Sequence, residues 1–293
     1  MNSCIACSST LFFRKMYDFH DQIVSDVPEE NNQLLISKVP KHFIFKGFVC
    51  VCKQCGHGSM ETIPNAESID KFYKLKFWQK ASLEHRPKTA SSGEQSPKHL
   101  ARARRQQEFI SSYLDLKQLR NCLEISPGEA LLTLTLKQKS SETTRFDLCE
   151  PGDSWDHYYK FQQLNKVAEF FPFPSTIKYQ LIVASHWLEH IADPKLAFSQ
   201  LYQQLDEYGY LMLEVPNTAH SYWSLSIQDA PHIHFFTLDS LVRLAVAAGF
   251  KCIDASEFGI TIDEHMRGAI PDYQLSGPRE GGYSIVAFFQ KLP

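Results

Sequence analysis

Residues 179–194 read YQLIVASHWLEHIADP, and this stretch decides the fold class. Its first six residues form a mostly apolar run that is short for a helix and typical of a strand buried on both faces. Asp193 and Pro194 then fit the N-cap and the first position of a helix. A buried strand that leads into a helix predicts the repeating unit of a parallel sheet.

The same alternation continues on either side of this stretch. Strands are predicted near residues 122–125, 146–149, 210–215, 250–256 and 283–290, and helices over 102–119, 131–136, 157–165, 194–205 and 237–248. Gly209 and Gly249 are expected to end the last two helices. The sequence therefore predicts an α/β fold with a mainly parallel sheet, which binds its ligands at the carboxyl ends of the strands.

The composition is that of an ordinary globular protein, with 43% hydrophobic and 22% charged residues in a chain of 293. A net charge of −3 argues against extensive electrostatic binding to nucleic acid or to an anionic membrane. Four basic residues near the first long helix are interpreted as a solvated helix face: Lys98, Arg102, Arg104 and Arg105. No apolar run approaches the roughly 18 residues that span a bilayer, and no secretory signal is visible. We therefore expect a cytoplasmic protein.

Changes in composition along the chain predict two parts joined by a linker. Residues 1–79 contain a cysteine cluster and end in an aromatic segment. Residues 80–100 are highly charged and are interrupted by proline, glycine and serine, which is typical of a linker. From residue 101 to residue 293 the helix and strand patterns are regular. We expect a small N-terminal module, a linker and one α/β domain.

Four of the eight cysteines form two C-x2-C pairs, which is the spacing of a tetrahedral zinc site. The predicted zinc ligands are Cys4, Cys7, Cys52 and Cys55. A closed four-cysteine site has no open coordination position, so its expected role is structural. Cys50 is left over, and the scattered Cys122, Cys149 and Cys252 are expected to be small buried hydrophobic residues. The alternative is a reduced cysteine cluster with redox activity.

Candidate ligand-binding residues follow the first two predicted strands. Residues 124–130 read EISPGEA, and a turn of this kind lets the backbone approach a ligand closely. Glu150 ends the second strand, where a carboxylate can accept the hydroxyls of a ribose. The alternative for Glu150 is a surface acid at a strand end.

Histidines follow the central strand and precede the last predicted helix. His186, Glu189 and His190 would share one face if their segment were helical. The candidates for a general base are His186, His190, His232 and His234, because an imidazole titrates near neutral pH. The alternative for each is a structural histidine. The segment also matches the H-x-x-E-H pattern of some zinc proteases, which is a short motif with two free positions.

These segments together resemble a known enzyme family. LEISPG, CEPG, VASHWLEHIADP, GYLMLEVPN and HIHFFTLDSLVRLAVAAGF occur in the order seen in class I S-adenosylmethionine-dependent methyltransferases. The resemblance covers residues 101–291. An N-terminal four-cysteine zinc module is also found in relatives that act on sugars or surface polysaccharides.

The resemblance implies a Rossmann-like sheet of seven strands with the last strand antiparallel. It implies cofactor contacts at Glu124, Ser126, Gly128, Glu150 and Ser185, with Glu150 on the ribose and Ser185 near the methionine end. Methyl transfer to a hydroxyl group or a carbon acid also needs a base, and we expect His186, His190 or His234 to act as general base or acceptor clamp. Ser126 and Ala130 replace two glycines of the family's loop, and a positive φ at Ser126 would cost on the order of 1 kcal/mol.

The expected function is methyl transfer to a small-molecule or carbohydrate acceptor, such as a nucleotide-linked sugar or a polysaccharide precursor. The acid that usually meets the adenine amine is not evident, and Glu169 is the nearest candidate. The alternative is a catalytically inactive, zinc-stabilised binding or scaffold protein on the same fold.

Overall fold

A computed structural model describes residues 3–18, 46–67, 69–70, 97–218, 222–223, 232–261, 263–264, 267 and 279–293. The predicted boundary at residue 79 and most of the predicted linker lie outside the described residues. The division into module, linker and domain therefore stays a prediction.

The described residues form eleven strands. They are β1 (Phe12–Asp18), β2 (Lys46–Cys52), β3 (Gly58–Met60), β4 (Asn121–Ile125), β5 (Arg145–Cys149), β6 (Asn165–Ala168), β7 (Tyr179–Ser185), β8 (Leu205–Pro216), β9 (His234–Phe235), β10 (Phe250–Thr261) and β11 (Gly282–Lys291). All six strands that the sequence predicts are present, although β8 begins five residues earlier and β10 ends five residues later than predicted. Strands β6 and β9 and the three N-terminal strands were not predicted.

Five α-helices of six or more residues accompany these strands among the described residues. They are α1 (Pro97–Ser111), α2 (Leu131–Lys139), α3 (Asp156–Phe161), α4 (Pro194–Gln204) and α5 (Leu238–Ala247). The predicted helix over 102–119 ends at Ser111, and a separate 3₁₀ turn follows at Leu116–Gln118. The residues after β7 form a 3₁₀ turn at Leu188–His190 rather than an α-helix.

Seven strands form the larger sheet in the order β10-β11-β8-β7-β4-β5-β6. Strands β4 to β8 pair in parallel, whereas β11 is antiparallel to both β8 and β10. This confirms the predicted seven-stranded sheet with an antiparallel last strand. The chain reverses its direction of travel across the sheet between β4 and β7, and ligands of such sheets bind outside the strand ends at this point.

The central strands are buried because both of their faces pack against apolar layers. Along β7, Ile182 faces one hydrophobic cluster, whereas Leu181 and Val183 face the other. Helices α4 and α5 contribute to the first cluster, and α1 and α2 contribute to the second. This two-sided burial explains the nearly continuous apolar runs in the sequence.

A second, four-stranded antiparallel sheet has the order β1-β2-β3-β9. Its first three strands come from the cysteine-containing N-terminal region, whereas β9 lies much later in the chain, just before α5. Ser59 pairs with His234, and Gly58 pairs with Phe235. The N-terminal sheet is therefore completed by a strand that immediately precedes helix α5.

Gly209 does not end helix α4, contrary to the prediction. The helix passes directly into β8, with Leu205 extended at the C-cap, and Gly209 lies inside that strand. A Cβ at Gly209 would lie 3.0 Å from the carbonyl oxygen of Tyr179. The glycine thus allows close approach of the neighbouring strand. Gly249, with φ of 99°, does follow α5 as predicted.

Among the described residues, no helix has both the length and the apolar character that crossing a membrane requires.

Candidate functional site

A cavity of about 460 Å³ opens at the carboxyl ends of β4, β5 and β7. Its volume is in the range that holds a small molecule. Seven of the residues singled out in the sequence line it: Glu124, Ser126, Gly128, Glu150, Ser185, His186 and His190. Glu169, the candidate for an adenine contact, lines it too. The fold thus brings together residues from three separate strand ends.

The loop after β4 contains three residues with left-handed backbone. The φ angles are 53° at Ser126, 52° at Gly128 and 52° at Ala130. The positive φ expected at Ser126 is therefore present, and each non-glycine residue costs about 1 kcal/mol there. At Gly128 no atom lies within 4 Å of the position that a Cβ would occupy. The space beside this glycine is open where it borders the cavity.

Glu150 joins the loop after β4 to the end of β5. Its Oε2 atom accepts a hydrogen bond from the amide of Gly128 at 3.2 Å. The carboxylate therefore lies at the rim shared by the two strand ends, where it can face the hydroxyls of a ribose.

Glu124 is buried and held by helix α2. Its Oε2 accepts hydrogen bonds from the amide of Thr133 at 3.0 Å and from the Thr133 hydroxyl. Burial raises the pKa of Glu124 to about 7, although the Thr133 hydrogen bonds act in the opposite direction. Near neutral pH this carboxyl group can therefore lose or gain a proton, and a cation that binds beside it would favour the ionised form.

The solvated face predicted for the basic residues of α1 is wrong for two of them, Arg102 and Arg105. Arg102 Nε and Arg105 Nη2 lie 3.2 Å and 3.0 Å from Oε1 of the buried Glu214 on β8. Arg104 is exposed, as expected. Spacing on one face of the helix brings these two guanidinium groups to the same carboxylate.

The same group of polar side chains fixes Ser185 at the end of β7. Its hydroxyl accepts hydrogen bonds from Arg102 and, at 3.1 Å, from Gln106. Burial of Glu214 would raise its pKa, but Arg102 and Arg105 lower the pKa to about 2. Arg102 and Gln106 also line the cavity, which the sequence did not predict.

Three histidines surround the carboxylate of Glu189, which is 1% exposed. Glu189 Oε1 lies 3.1 Å from His186 Nδ1, 3.8 Å from His190 Nε2 and 3.9 Å from His232 Nε2. The rings of His190 and His232 meet edge to face at 4.9 Å. We call these four residues the Glu189 cluster.

The Glu189 cluster contains a carboxylate that stays ionised. Burial alone would raise its pKa, but the hydrogen bond from His186 and the charges of the neighbouring imidazoles lower the pKa to about 2. Glu189 Oε2 and His186 Nε2 are buried and have no hydrogen-bond partner among the described residues. Buried polar atoms in this state are unusual and often mark a ligand site. His186 also has a positive φ of 51°.

His234 lies apart from the cavity. Its Nδ1 is 2.9 Å from the hydroxyl of Ser59, and its Nε2 is 3.4 Å from the carbonyl oxygen of Ala192. It is 1% exposed, and burial lowers the pKa of its imidazole to about 4. The structure thus buries His234 between Ser59 of β3 and the carbonyl group of Ala192, and His234 is not among the residues that line the cavity.

The four predicted zinc ligands come together at one point. Cys4 Sγ lies 3.6 Å from Cys55 Sγ, and Cys7 Sγ lies 3.5 Å from Cys52 Sγ. All four sulfurs lie within 4.8 Å of one another. A zinc tetrahedron with bonds of about 2.3 Å has sulfur–sulfur edges of about 3.8 Å, so this arrangement fits the metal. Cys50 is buried but does not belong to this set.

A second group could also hold a cation. The ligand atoms of Glu189, His190 and His232 lie within 4.8 Å of one another. This is not the ligand set of the H-x-x-E-H interpretation, which needs His186 and His190 on one α-helical face. The 3₁₀ turn at Leu188–His190 does not provide such a face.

A family model described as a methyltransferase domain matches residues 98–255. No curated protein matches this chain. Among solved structures, a S-adenosylmethionine-dependent methyltransferase from Clostridium acetobutylicum is 10% identical, with a TM-score of 0.52 over 73% of this chain and 100% of that chain.

A S-adenosylmethionine-dependent methyltransferase from Thermotoga maritima, described as a possible histamine N-methyltransferase, is 14% identical. Its TM-score is 0.50 over 75% of this chain and 99% of that chain. At these identities the two structures establish likeness of fold alone.

Proposed function

Because the chain belongs to the methyltransferase-domain family, we propose that it methylates a small-molecule or carbohydrate acceptor with the Glu189 cluster serving as the proton-accepting group. The single observation that carries this proposal is the position of that cluster. Two of the three imidazoles that surround the ionised Glu189 carboxylate, those of His186 and His190, form part of the cavity wall, and the carboxylate itself is buried behind them.

The residues at the strand ends fit S-adenosylmethionine, which supplies an activated methyl group when it is bound. Glu150 would accept the ribose hydroxyls, and the open backbone at Gly128 would allow close approach of the ligand. Glu124 and Arg102 offer opposite charges for the amino and carboxylate groups of the methionine end. Ser126 would contact the cofactor through its loop, and Ser185 would lie at the methionine end.

His186 is the best-placed base of the candidates. Glu189 binds its Nδ1 atom, which orients the ring and favours a proton on Nδ1. Its Nε2 can then accept a proton from the acceptor as the acceptor atom gains the methyl group. His190, which also borders the cavity, is the second candidate. His234 does not line the cavity, so we do not propose it as the base.

The acceptor class rests on the resemblance to sugar-modifying relatives and on the composition. The cavity admits a small molecule, and the net charge of −3 does not favour nucleic acid. We further propose one structural zinc ion at Cys4, Cys7, Cys52 and Cys55. Four thiolates of this kind require a reducing compartment, so the cytoplasm is the proposed location.

Transfer of labelled methyl groups tests this function. The full-length, zinc-loaded protein is incubated with methyl-labelled S-adenosylmethionine and a panel of free sugars, nucleotide-linked sugars and small hydroxylated or amino compounds. With an accepted compound, His186→Ala is expected to lower turnover by about 10²–10⁴-fold, because a general base is lost. Its affinity for S-adenosylhomocysteine should stay close to that of the wild type.

His157→Ala, which removes an exposed histidine on α3, is the matched control and should turn over normally. Glu189→Gln keeps the shape of the cluster but removes its charge, and it should also slow turnover. Normal turnover in both His186→Ala and Glu189→Gln would refute the assignment of the base. A wild-type protein that binds S-adenosylhomocysteine but methylates nothing would favour the inactive alternative.

A further inference from the structure

The backbone of Ile233 joins the N-terminal sheet to the Glu189 cluster. Its amide donates a hydrogen bond to the carbonyl oxygen of Glu189 at 2.8 Å. Its own carbonyl oxygen accepts one from the amide of Met60 at 2.9 Å. One residue therefore links strand β3 on one side to the turn that carries Glu189 on the other.

His232, a member of the Glu189 cluster, is the residue immediately before this link. The His232 ring contacts Glu189 and His190. These contacts depend on the backbone conformation of the segment that precedes α5. We call residues 232–237 the shared segment, because its middle part is strand β9 of the N-terminal sheet.

Two side-chain contacts fasten the shared segment to the cysteine-containing region. The Thr237 hydroxyl donates a hydrogen bond to the carbonyl oxygen of Cys55 at 2.6 Å. The Ser59 hydroxyl lies between His57 Nε2 at 3.1 Å and His234 Nδ1 at 2.9 Å. His57, Ser59 and His234 are all at most 2% exposed, so these hydrogen bonds are shielded from water.

Steric fit supports the same contacts. A Cβ at Gly56 would lie 2.7 Å from Cγ2 of Thr237, and one at Gly58 would lie 2.6 Å from the ring of Trp223 and 3.0 Å from Cβ of Phe235. The turn after the second cysteine pair can thus approach the start of α5 only because these positions are glycines.

We infer that the four-cysteine region is a positioning device for the active site, which holds His232 and Glu189 in place through Ser59, Thr237 and the Ile233 backbone. This inference rests on the proposed function of the Glu189 cluster. His234 is accordingly a positioning residue, since it connects Ser59 to the carbonyl oxygen of Ala192 beside the same turn. A metal ion held by Cys4, Cys7, Cys52 and Cys55 would stabilise the proton-accepting group through these contacts, because none of the four cysteines lines the cavity.

Amide hydrogen exchange of the zinc-loaded full chain tests this inference without an acceptor. The exchange rate of the Ile233 amide is measured. The NMR chemical shift of the His232 ring is followed in the same samples, because it reports the contact of that ring with the His190 ring. Ser59→Ala removes the bridging hydroxyl and should speed exchange of the Ile233 amide by about tenfold, the equivalent of one lost hydrogen bond. The His232 ring resonance should shift in the same variant.

Thr237 provides a matched pair of variants. Thr237→Val removes the hydroxyl and should reproduce the effects of Ser59→Ala, whereas Thr237→Ser keeps the hydroxyl and should restore the wild-type behaviour. Thr237 also caps α5, so amides in the first turn of that helix are followed separately. Ser59→Ala should leave them unchanged, which separates loss of positioning from fraying of the helix.

Metal removal completes the test. Elemental analysis should find one zinc ion per chain, which Cys50→Ser keeps and Cys52→Ser loses. The zinc-free protein should show fast exchange at Ile233 but bind S-adenosylhomocysteine with nearly unchanged affinity. Unchanged exchange and an unchanged His232 resonance in both Ser59→Ala and the zinc-free protein would overturn the inference. Failure of the proposed function would instead appear as absence of methyl transfer in the wild type, or as normal turnover in both His186→Ala and Glu189→Gln, and neither result changes the exchange measurements.

Discussion

Gly128 lies where the backbone must be left-handed and the neighbouring space must stay open. Its φ is 52°, and no protein atom is near the position of a Cβ. Gly128→Ala should therefore lower the free energy of unfolding by about 1–2 kcal/mol through backbone strain alone. If the cofactor occupies the open space, the added methyl group should also weaken S-adenosylhomocysteine binding by about tenfold, equivalent to roughly 1.4 kcal/mol. Chemical denaturation and calorimetry measure the two effects.

Gly281→Ala is the matched control, because its φ is 73° and a Cβ would make only an ordinary contact with Thr261 at 3.7 Å. It should cost similar stability and leave S-adenosylhomocysteine affinity unchanged. Equal affinities for Gly128→Ala and the wild type would show that the ligand does not approach this loop.

At the scale of single residues, the sequence predicts groups whose position follows from a strand end. Glu124, Glu150, Ser185 and His186 are in this class, because the carboxyl ends of parallel strands meet at one edge. Arg105 is not, since its partner Glu214 is 109 residues away along the chain. From the sequence alone, a charged residue on a helix is predicted to be exposed to solvent. Only the fold shows that a buried carboxylate lies opposite it. Glu214 itself, an acid inside an apolar strand, was the available signal.

At the scale of secondary structure, the short strand β9 places His234 in a buried position away from the residues that line the cavity. Burial lowers the pKa of the His234 imidazole from 6.5 to about 4. The unfolded chain therefore binds more protons than the folded one between these two values. His234 makes its full contribution to stability above pH 6.5, and that contribution is lost as the pH falls towards 4.

Unfolding free energies measured between pH 4 and 7 test this role. In the wild type they should fall by about 3 kcal/mol from His234 alone as the pH is lowered through this window. His234→Asn keeps a polar group near Ser59 but does not titrate, so the difference between its profile and that of the wild type isolates the imidazole. The buried His57 contributes in the same direction to both profiles. Parallel profiles would show that His234 is accessible to protons in the folded protein.

Elements with a strong local pattern were predictable, and elements created by pairing were not. Strands β4 and β7 are predictable from their apolar runs, because both of their faces are buried. Strand β6 is an edge strand with the sequence NKVA, and it pairs only with β5. Strand β9 has two residues and exists because β3 lies beside it. Such strands carry no local signal that distinguishes them from loops.

At the scale of the whole molecule, two polar groups meet one cavity from different sides. The loop after β4, Glu150 and Arg102 form one wall, and His186 and His190 of the Glu189 cluster form another, just after the carboxyl end of β7. In the proposed function the first group binds the cofactor and the second takes a proton from the acceptor. The N-terminal sheet is hydrogen-bonded to the second group through the shared segment. We therefore expect substitutions in the first group to change cofactor affinity and substitutions in the second group to change turnover.

Calorimetric titration with S-adenosylhomocysteine tests the central claim most directly, that the cofactor lies across the ends of β4 and β5 against Glu150. The wild type should bind one molecule per chain. Glu150→Ala should bind at least about tenfold more weakly, because a hydrogen bond to a charged group is worth roughly 1.5–3 kcal/mol. Glu142→Ala, which removes an exposed acid before β5, should bind like the wild type. No binding to the wild type, or equal binding by Glu150→Ala, would contradict the account.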